Sequence, residues 1–221
     1  MHIEPGFVTP AKVAIANAGA IGVFAWGLKE QLKEFLSKPW IPLKTLLAAV
    51  FFSLFMQSFH MPIGPSELHF VGAMAMYLTL GFTPTLLGFA IGLAVQGLVF
   101  DPADLYHLGV NSLSLMLPLV AVHFISGRQF FEQSVSKRLS WARIVGLDAM
   151  YYTGVTGMVG FWLMISEVST PFSSWLAFAS SYLVLVACEP VVTYLAVKGL
   201  KSIENHSLVT RFTVVRNLTL A

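Results

Sequence analysis

The sequence predicts an all-α integral membrane protein, a polytopic bundle of about seven transmembrane helices. Hydrophobic residues make up 56% of its 221 residues and charged residues only 11%, whereas an ordinary soluble domain carries about 25% charged residues. The mean hydropathy is +0.75. Apolar stretches of about 20 residues, long enough to cross a hydrocarbon core, recur along the chain. We therefore expect a lipid bilayer around the chain and no nucleic-acid partner.

Seven apolar segments account for the predicted helices. They lie at residues 9–28, 40–58, 70–80, 84–100, 108–125, 144–165 and 174–197. The third segment is too short to span a bilayer comfortably alone. Between it and the fourth, the stretch from Gly81 to Thr85 either turns the chain between two short helices or kinks one long helix, because Pro84 suits a helix start and disrupts a helix interior.

The basic residues favour the turn over the kink. They concentrate at residues 29–44, 128–143 and 198–216. With a turn at Thr83-Pro84, all three segments fall on one side of the membrane, which the positive-inside rule makes cytoplasmic. With one long helix, the later segments would lie outside. We therefore expect seven passes with the amino terminus outside.

The first two residues, Met1 and His2, can place three nitrogen atoms around one metal ion. No basic region or small-residue cleavage site precedes the first apolar stretch, so we expect Met1 to be retained. Its α-amine, the deprotonated His2 amide and a His2 ring nitrogen would close two chelate rings in one plane, which suits Ni(II) or Cu(II). A fourth ligand would complete the square. With Cys188 as the single cysteine, we expect no Cys-based site.

The predicted outer face is acidic and rich in histidine. Lys12 is the one basic residue predicted near it, whereas its candidate cation-binding side chains are those of His2, Glu4, His60, Glu67, His69, Asp101, Asp104, His107 and Glu167. Their combined field would concentrate a divalent cation. The alternative is that these exterior loops lack Lys and Arg because the topology requires it.

Three sequence blocks resemble CbiM/NikM-type proteins, the substrate-binding membrane subunits of energy-coupling-factor (ECF) cobalt and nickel transporters. Met1-His2-Ile3-x-x-Gly6-Phe7 resembles the family's amino terminus, and His69-x-x-Gly72 resembles its His-Pro-Thr-Gly. Gln96 followed by Leu108-Gly109-Val110-Asn111-Ser112 resembles its Gln and Leu-Gly-Ala-Asn run. The similarity covers residues 1–122, and beyond them only the hydropathy pattern agrees.

The resemblance implies a Ni(II) or Co(II) site at the outward end of the bundle, with the metal as transported substrate and no permanently bound cofactor. Its ligands would be the Met1 amine, the His2 amide and ring, and the His69 ring. These nitrogens suit Ni, Co and Cu, whereas Mg and Ca prefer oxygen. Asn111 would orient a ligand or the amino-terminal loop, or else cap its helix or bond across the bundle.

The chain departs from the resembled pattern around the predicted histidine ligand. Phe70-Val71 replaces the family's Pro-Thr, and Glu67-Leu68 replaces its small polar residues. Either His60 or Glu67 could add an axial ligand and favour Co(II) over planar Ni(II). Residues 1–200 are expected to form one transmembrane metal-binding domain, with residues 201–221 as a cytoplasmic tail.

The resemblance also implies partners in a bacterial or archaeal plasma membrane. Ala14, Ala18 and Gly22 form a stripe of small residues that would let a transmembrane coupling subunit approach, and internal packing is a strong alternative explanation. No G-x-x-x-x-G-K-[ST] occurs, so transport energy would come from separate ATPase subunits. A small accessory membrane subunit is a further expected partner.

Polar residues inside the apolar segments are candidates for function or structure. Glu189 precedes Pro190 in mid-helix, where an ionisable group is functional by default, and the structural alternative bonds it to Tyr182 or Thr193. Asp148 and His123 lie near inner helix ends and are expected to be structural or to face a partner.

Two other classes of function remain open. An intramembrane haem protein would need paired histidines at one depth, and a metalloenzyme would need a motif such as H-E-x-x-H, which is absent. A permease for a non-metal solute would make Met1-His2 incidental. We expect a transporter subunit and not an enzyme.

Overall fold

The computed structural model describes residues 3, 7–35, 37–63, 66–131 and 138–221. The helices of the bundle are α1 (Pro10–Phe35), α2 (Ile41–Ser58), α3 (Ala73–Leu80), α4 (Phe82–Val99), α5 (Leu108–Val122), α6 (Trp141–Met164) and α7 (Phe172–Ser202), and α8 (Ser207–Phe212) follows them. Strands β1 (His60–Ile63) and β2 (Ser66–His69) form an antiparallel hairpin between α2 and α3. Short 3-10 helices lie at Pro102–His107, Arg128–Phe130 and Val215–Asn217, and a π-helical turn lies at His123–Gly127.

Each of the seven predicted segments contains a helix, so the membrane helical bundle is confirmed. Within the described residues, five helices are long and apolar enough to cross a membrane: α1, α2, α4, the Pro102–Phe130 segment that contains α5, and α7. α3 has only eight residues, all of them buried. α6 has 24 residues but includes Asp148 and several Tyr, Thr and Gly residues. Seven passes and an external amino terminus stay predictions.

The chain reverses at Gly81, as the basic residues predicted. Ser53 of α2 lies beside Gly92 of α4, and Gln57 beside Gln96, so these two helices run parallel. α3 therefore runs back between them. Gly81 has φ of 102°, a conformation that glycine adopts without steric cost.

The segment after α7 packs on the end of the bundle where α2 begins. The Val214 N–H donates to the Thr79 carbonyl at 2.8 Å, and Leu220 forms a parallel bridge with Leu139. α7 itself continues to Ser202. Residues 207–221 thus pack against the start of α2 and the end of α3 rather than extending away from them.

Candidate metal site at the hairpin end of the bundle

Ile3 is held between the hairpin and the start of α5. It forms an antiparallel bridge with Ser66 of β2, and its side chain is buried. Its N–H donates to Asn111 Oδ1 at 3.2 Å. Its carbonyl accepts from His107 Nδ1 at 2.8 Å. Both backbone polar groups of the residue that follows Met1-His2 are therefore fixed by side chains more than 100 positions away.

His69 lies at the end of β2 with its ring almost fully buried, and it pairs across the hairpin with His60. Its Nε2 is 2.9 Å from Glu67 Oε2, and its Nδ1 is 3.4 Å from the Met56 carbonyl. The His60 and His69 rings stack with centroids 6.0 Å apart. The hairpin therefore brings together the predicted ligand and both candidate axial ligands.

Met1 and His2, the other predicted ligands, lie outside the described residues. Among residues 3, 7–35, 37–63, 66–131 and 138–221, no three His, Cys, Asp or Glu side chains are grouped so that they could hold a metal. The two histidines and one carboxylate of the hairpin therefore do not form such a group by themselves.

Glu189 fixes the segment between His69 and α3. It is fully buried on α7, and its Oε1 accepts the N–H groups of Val71 and Gly72, each at 3.0 Å. The same oxygen accepts the hydroxyl of Tyr152 from α6. The sequence suggested Tyr182 or Thr193 as partners, but the carboxylate instead caps the amino end of α3, where free N–H groups favour an anion.

Gly72 allows this approach. Its φ is 64°, and an added Cβ would lie 2.4 Å from Phe55 Cδ2. A larger residue would therefore displace the start of α3 from α2 as well as strain the backbone.

Several sequence candidates lie in other contacts. Gln96 joins α4 to α2 through the Ser53 carbonyl at 2.9 Å and Gln57 at 2.7 Å. Asp101 accepts the Ala103 N–H. The Glu167 side chain pairs with Lys12 at 3.0 Å, and the Glu167 N–H donates to the Phe7 carbonyl. Gln96, Asp101 and Glu167 therefore have structural contacts of their own.

His107, one of the candidate cation-binding side chains in the sequence, instead contacts the Ile3 carbonyl in the structure. It lies one helical turn before Asn111, and side chains four positions apart share a helix face. That spacing was the available signal. Its Nε2 is buried without a hydrogen-bond partner among the described residues.

The predicted stripe on α1 points away from the described bundle. Ala14, Ala18 and Gly22 are exposed, and nothing lies within 4 Å of a Cβ built on Gly22. α1 instead packs against α5 through the neighbouring face, where Asn17 Oδ1 accepts the Gly109 N–H at 3.0 Å. The stripe is thus available to lipid or to another membrane helix.

The family match identifies the chain as a membrane component of metal transport. The chain belongs to the CbiM family, described as the cobalt uptake substrate-specific transmembrane region, whose model matches residues 2–207. Membership therefore extends well beyond residues 1–122, where the sequence blocks ended. The family is a transporter component and not an enzyme.

Two solved structures share the fold. A transition metal transporter has 21% identity and a TM-score of 0.73, covering 96% of this chain and 97% of that chain. A truncated transition metal transporter has 19% identity and a TM-score of 0.69, covering 90% and 99%. Comparison with curated proteins gave no significant match.

Proposed function

We propose that the protein captures Ni(II) or Co(II) at the outer face through the Met1 amine, the His2 amide and ring, and the His69 ring. The observation that carries this proposal is the fixed position of Ile3 beside β2. In an antiparallel pair, moving backward along one strand corresponds to moving forward along the other. The amino end of Ile3 therefore faces the part of β2 that leads from Ser66 to His69.

His69 has the surroundings expected of a metal ligand. Ligating histidines commonly donate their second ring N–H to a carbonyl or carboxylate, which fixes the ring. The Met56 carbonyl faces Nδ1, so Nε2 would bind the ion. Glu67, already 2.9 Å from Nε2, is then better placed than His60 to add an axial oxygen, and an added axial ligand would favour Co(II) over planar Ni(II).

The captured ion would be delivered for ATP-driven uptake by an ECF-type transporter in a bacterial or archaeal plasma membrane. The exposed stripe of Ala14, Ala18 and Gly22 would meet the transmembrane coupling subunit, because small residues let helices approach closely. Separate ATPase subunits would supply the energy, with a small accessory membrane subunit completing the complex.

A single residue inserted before Met1 tests the site. The insertion moves the amine out of its chelate ring with the His2 amide. We expect the Ni(II) or Co(II) affinity, measured by isothermal titration calorimetry, to fall by more than the 10- to 100-fold that typically follows loss of a supporting residue. A carboxy-terminal tag is the control and should leave the affinity intact. Unchanged affinity after the insertion would refute the amine ligand.

A further inference from the structure

A second polar feature lies at the opposite end of the bundle from His69. A cavity of about 750 Å³ opens between the start of α2, the chain reversal at Gly81 and the segment after α8. Trp40, Leu80 and Phe82 give it an apolar wall, and Lys38, Lys44, Arg211 and Arg216 line it together with Glu34. The lining of the cavity therefore combines apolar side chains with four basic ones.

Three of the four cations have no carboxylate partner among the described residues. Lys38 pairs with Glu34 at 2.8 Å. Lys44 is only 7% exposed, and its ammonium lies 3.3 Å from the Thr213 carbonyl. The Arg211 guanidinium stacks on Trp40, 4.5 Å from the ring centre. The cavity thus keeps three positive charges, one of them deeply buried.

The positive-inside rule accounts for basic residues at this end but not for the burial of Lys44. Burying an ammonium is costly; Glu34, the carboxylate that lines the same cavity, is already paired with Lys38, and one neutral carbonyl compensates Lys44 poorly. An anion bound in the cavity would supply the missing charge. Phosphate matches the donors best, because guanidinium groups bind it bidentately and ammonium groups bind it as point charges.

The position of the cavity fits the same chemistry. α2 and α4 both begin beside it, so it lies where the apolar helices emerge from the hydrocarbon core. Trp40 is half-exposed at this level, as tryptophans at a membrane interface commonly are. Basic pockets between helices at this depth bind anionic lipid headgroups.

We propose that this cavity is a phosphate-binding site in which Lys44, Arg211 and Arg216 hold the anion. The phosphate belongs either to an anionic lipid headgroup or to a soluble phosphate. The apolar wall of Trp40, Leu80 and Phe82 favours the lipid, since it would contact the glycerol and the first acyl carbons.

Native mass spectrometry of the delipidated protein in detergent tests the lipid source. We expect the protein to retain phosphatidylglycerol in preference to phosphatidylcholine. Lys44→Met keeps most of the apolar stem, removes the charge and should bind phosphatidylglycerol at least about tenfold more weakly, the effect of losing one charge-assisted hydrogen bond. Lys44→Arg should retain the lipid. Lys29→Met, which removes an exposed charge at the same end but outside the cavity, should behave as the wild type.

Inorganic phosphate tests the soluble source. A rise in thermal midpoint with phosphate over chloride at equal ionic strength, lost in Lys44→Met, would assign the site to a soluble phosphate. Preference for phosphatidylglycerol without that rise would assign it to the lipid. Circular dichroism without ligand checks that each variant is folded. If Lys44→Met matches the wild type in both arms, or if Lys29→Met weakens binding equally, the proposed site is overturned.

Discussion

The two parts of the bundle contribute differently to the hairpin end. The described candidate ligands of the predicted site, namely His60, Glu67 and His69, all come from residues 1–122. α6 and α7 contribute no candidate ligand, but they supply the Tyr152 and Glu189 side chains that fix the chain between His69 and α3. The candidate ligands thus lie in the first part of the sequence, whereas the second part contributes supporting contacts.

This division explains why sequence blocks ended at residue 122 although the family match reaches residue 207. Ligands must be particular residue types at particular spacings, and such patterns are visible in a short motif. A supporting residue such as Glu189 needs only to place a hydrogen-bond acceptor at the right position in space. The sequence around it therefore shows no recognisable motif. The role of the second part of the chain in the site is therefore tested by substitution, because no motif identifies it.

The largest effect we expect is that of pH on the ligands of the first part. An α-amine titrates at about pH 7.7 to 8.0 and an imidazole at about pH 6.5 when unperturbed, and each must lose its proton to bind metal. Protons therefore compete more strongly as pH falls. Protonation of the amine alone should weaken binding by about 60- to 80-fold from pH 7.5 to pH 5.5, and the imidazoles should add to this.

Metal titrations across that interval, with helicity followed by circular dichroism, measure this effect. Carboxylates stay ionised until about pH 4, so oxygen ligands alone would give a nearly flat profile. A flat profile would therefore favour a site made of carboxylates over the proposed nitrogen site.

His2→Ala and His69→Ala should have the next largest effect. Each removes a ligand, so we expect each to lower Ni(II) or Co(II) affinity by more than about 100-fold, beyond the loss typical of a supporting residue. The double variant should be little worse than either, because ligands of one ion are not additive. His206→Ala, beyond α7, is the control. Additive losses would indicate two independent sites.

Some features of the fold were readable from local pattern and others were not. Apolar length predicted all seven helices, and Pro84 with the basic segments predicted the reversal at Gly81. The hairpin was missed, because two four-residue strands are too short for their alternation to be recognised. His107 and Asn111 lie over 100 positions from Ile3, whose backbone they bind. Glu189 likewise lies over 100 positions from the Val71 and Gly72 N–H groups that it accepts. Sequence periodicity carries no information about such distant contacts.

The tail after α7 shows the same limit. That it is cytoplasmic stays a prediction, and its sequence did not indicate that the Val214 N–H bonds the free Thr79 carbonyl at the end of α3. The last carbonyls of a helix need partners when they are not exposed to water. Which segment supplies the partner depends on the fold as a whole, so the sequence could not identify it.

Glu189 tests the contribution of the second part directly. Glu189→Leu removes the acceptor for Val71 and Gly72 and should lower metal affinity about 10- to 100-fold. Glu189→Gln keeps a side-chain oxygen and should restore most of the affinity. With Cu(II) as a probe, Glu189→Leu should give an electron paramagnetic resonance spectrum like that of His69→Ala, because His69 would no longer be held at the fourth ligand position.

Thr193→Val is the matched control for Glu189. Thr193 is buried one helical turn further along α7, and its hydroxyl has no hydrogen-bond partner among the described residues, so its loss should leave the Cu(II) spectrum unchanged. If the Glu189→Leu variant folds and keeps the wild-type Cu(II) spectrum, the Glu189 contacts of the second part do not position His69. If an insertion before Met1 leaves metal affinity unchanged in the otherwise wild-type protein, the proposed metal site itself is refuted.

Asn111→Ala should have the smallest effect on metal affinity. The substitution removes the acceptor for the Ile3 N–H, but His107 still binds the Ile3 carbonyl. We expect metal affinity to fall by about tenfold, the lower end of the range for supporting residues. Asn17→Ala is a close control, since Asn17 Oδ1 also accepts a backbone N–H at 3.0 Å, but from Gly109 of α5. Calorimetry on the two variants separates the roles: equal losses would mean that the position of α5, rather than the hold on Ile3, determines binding.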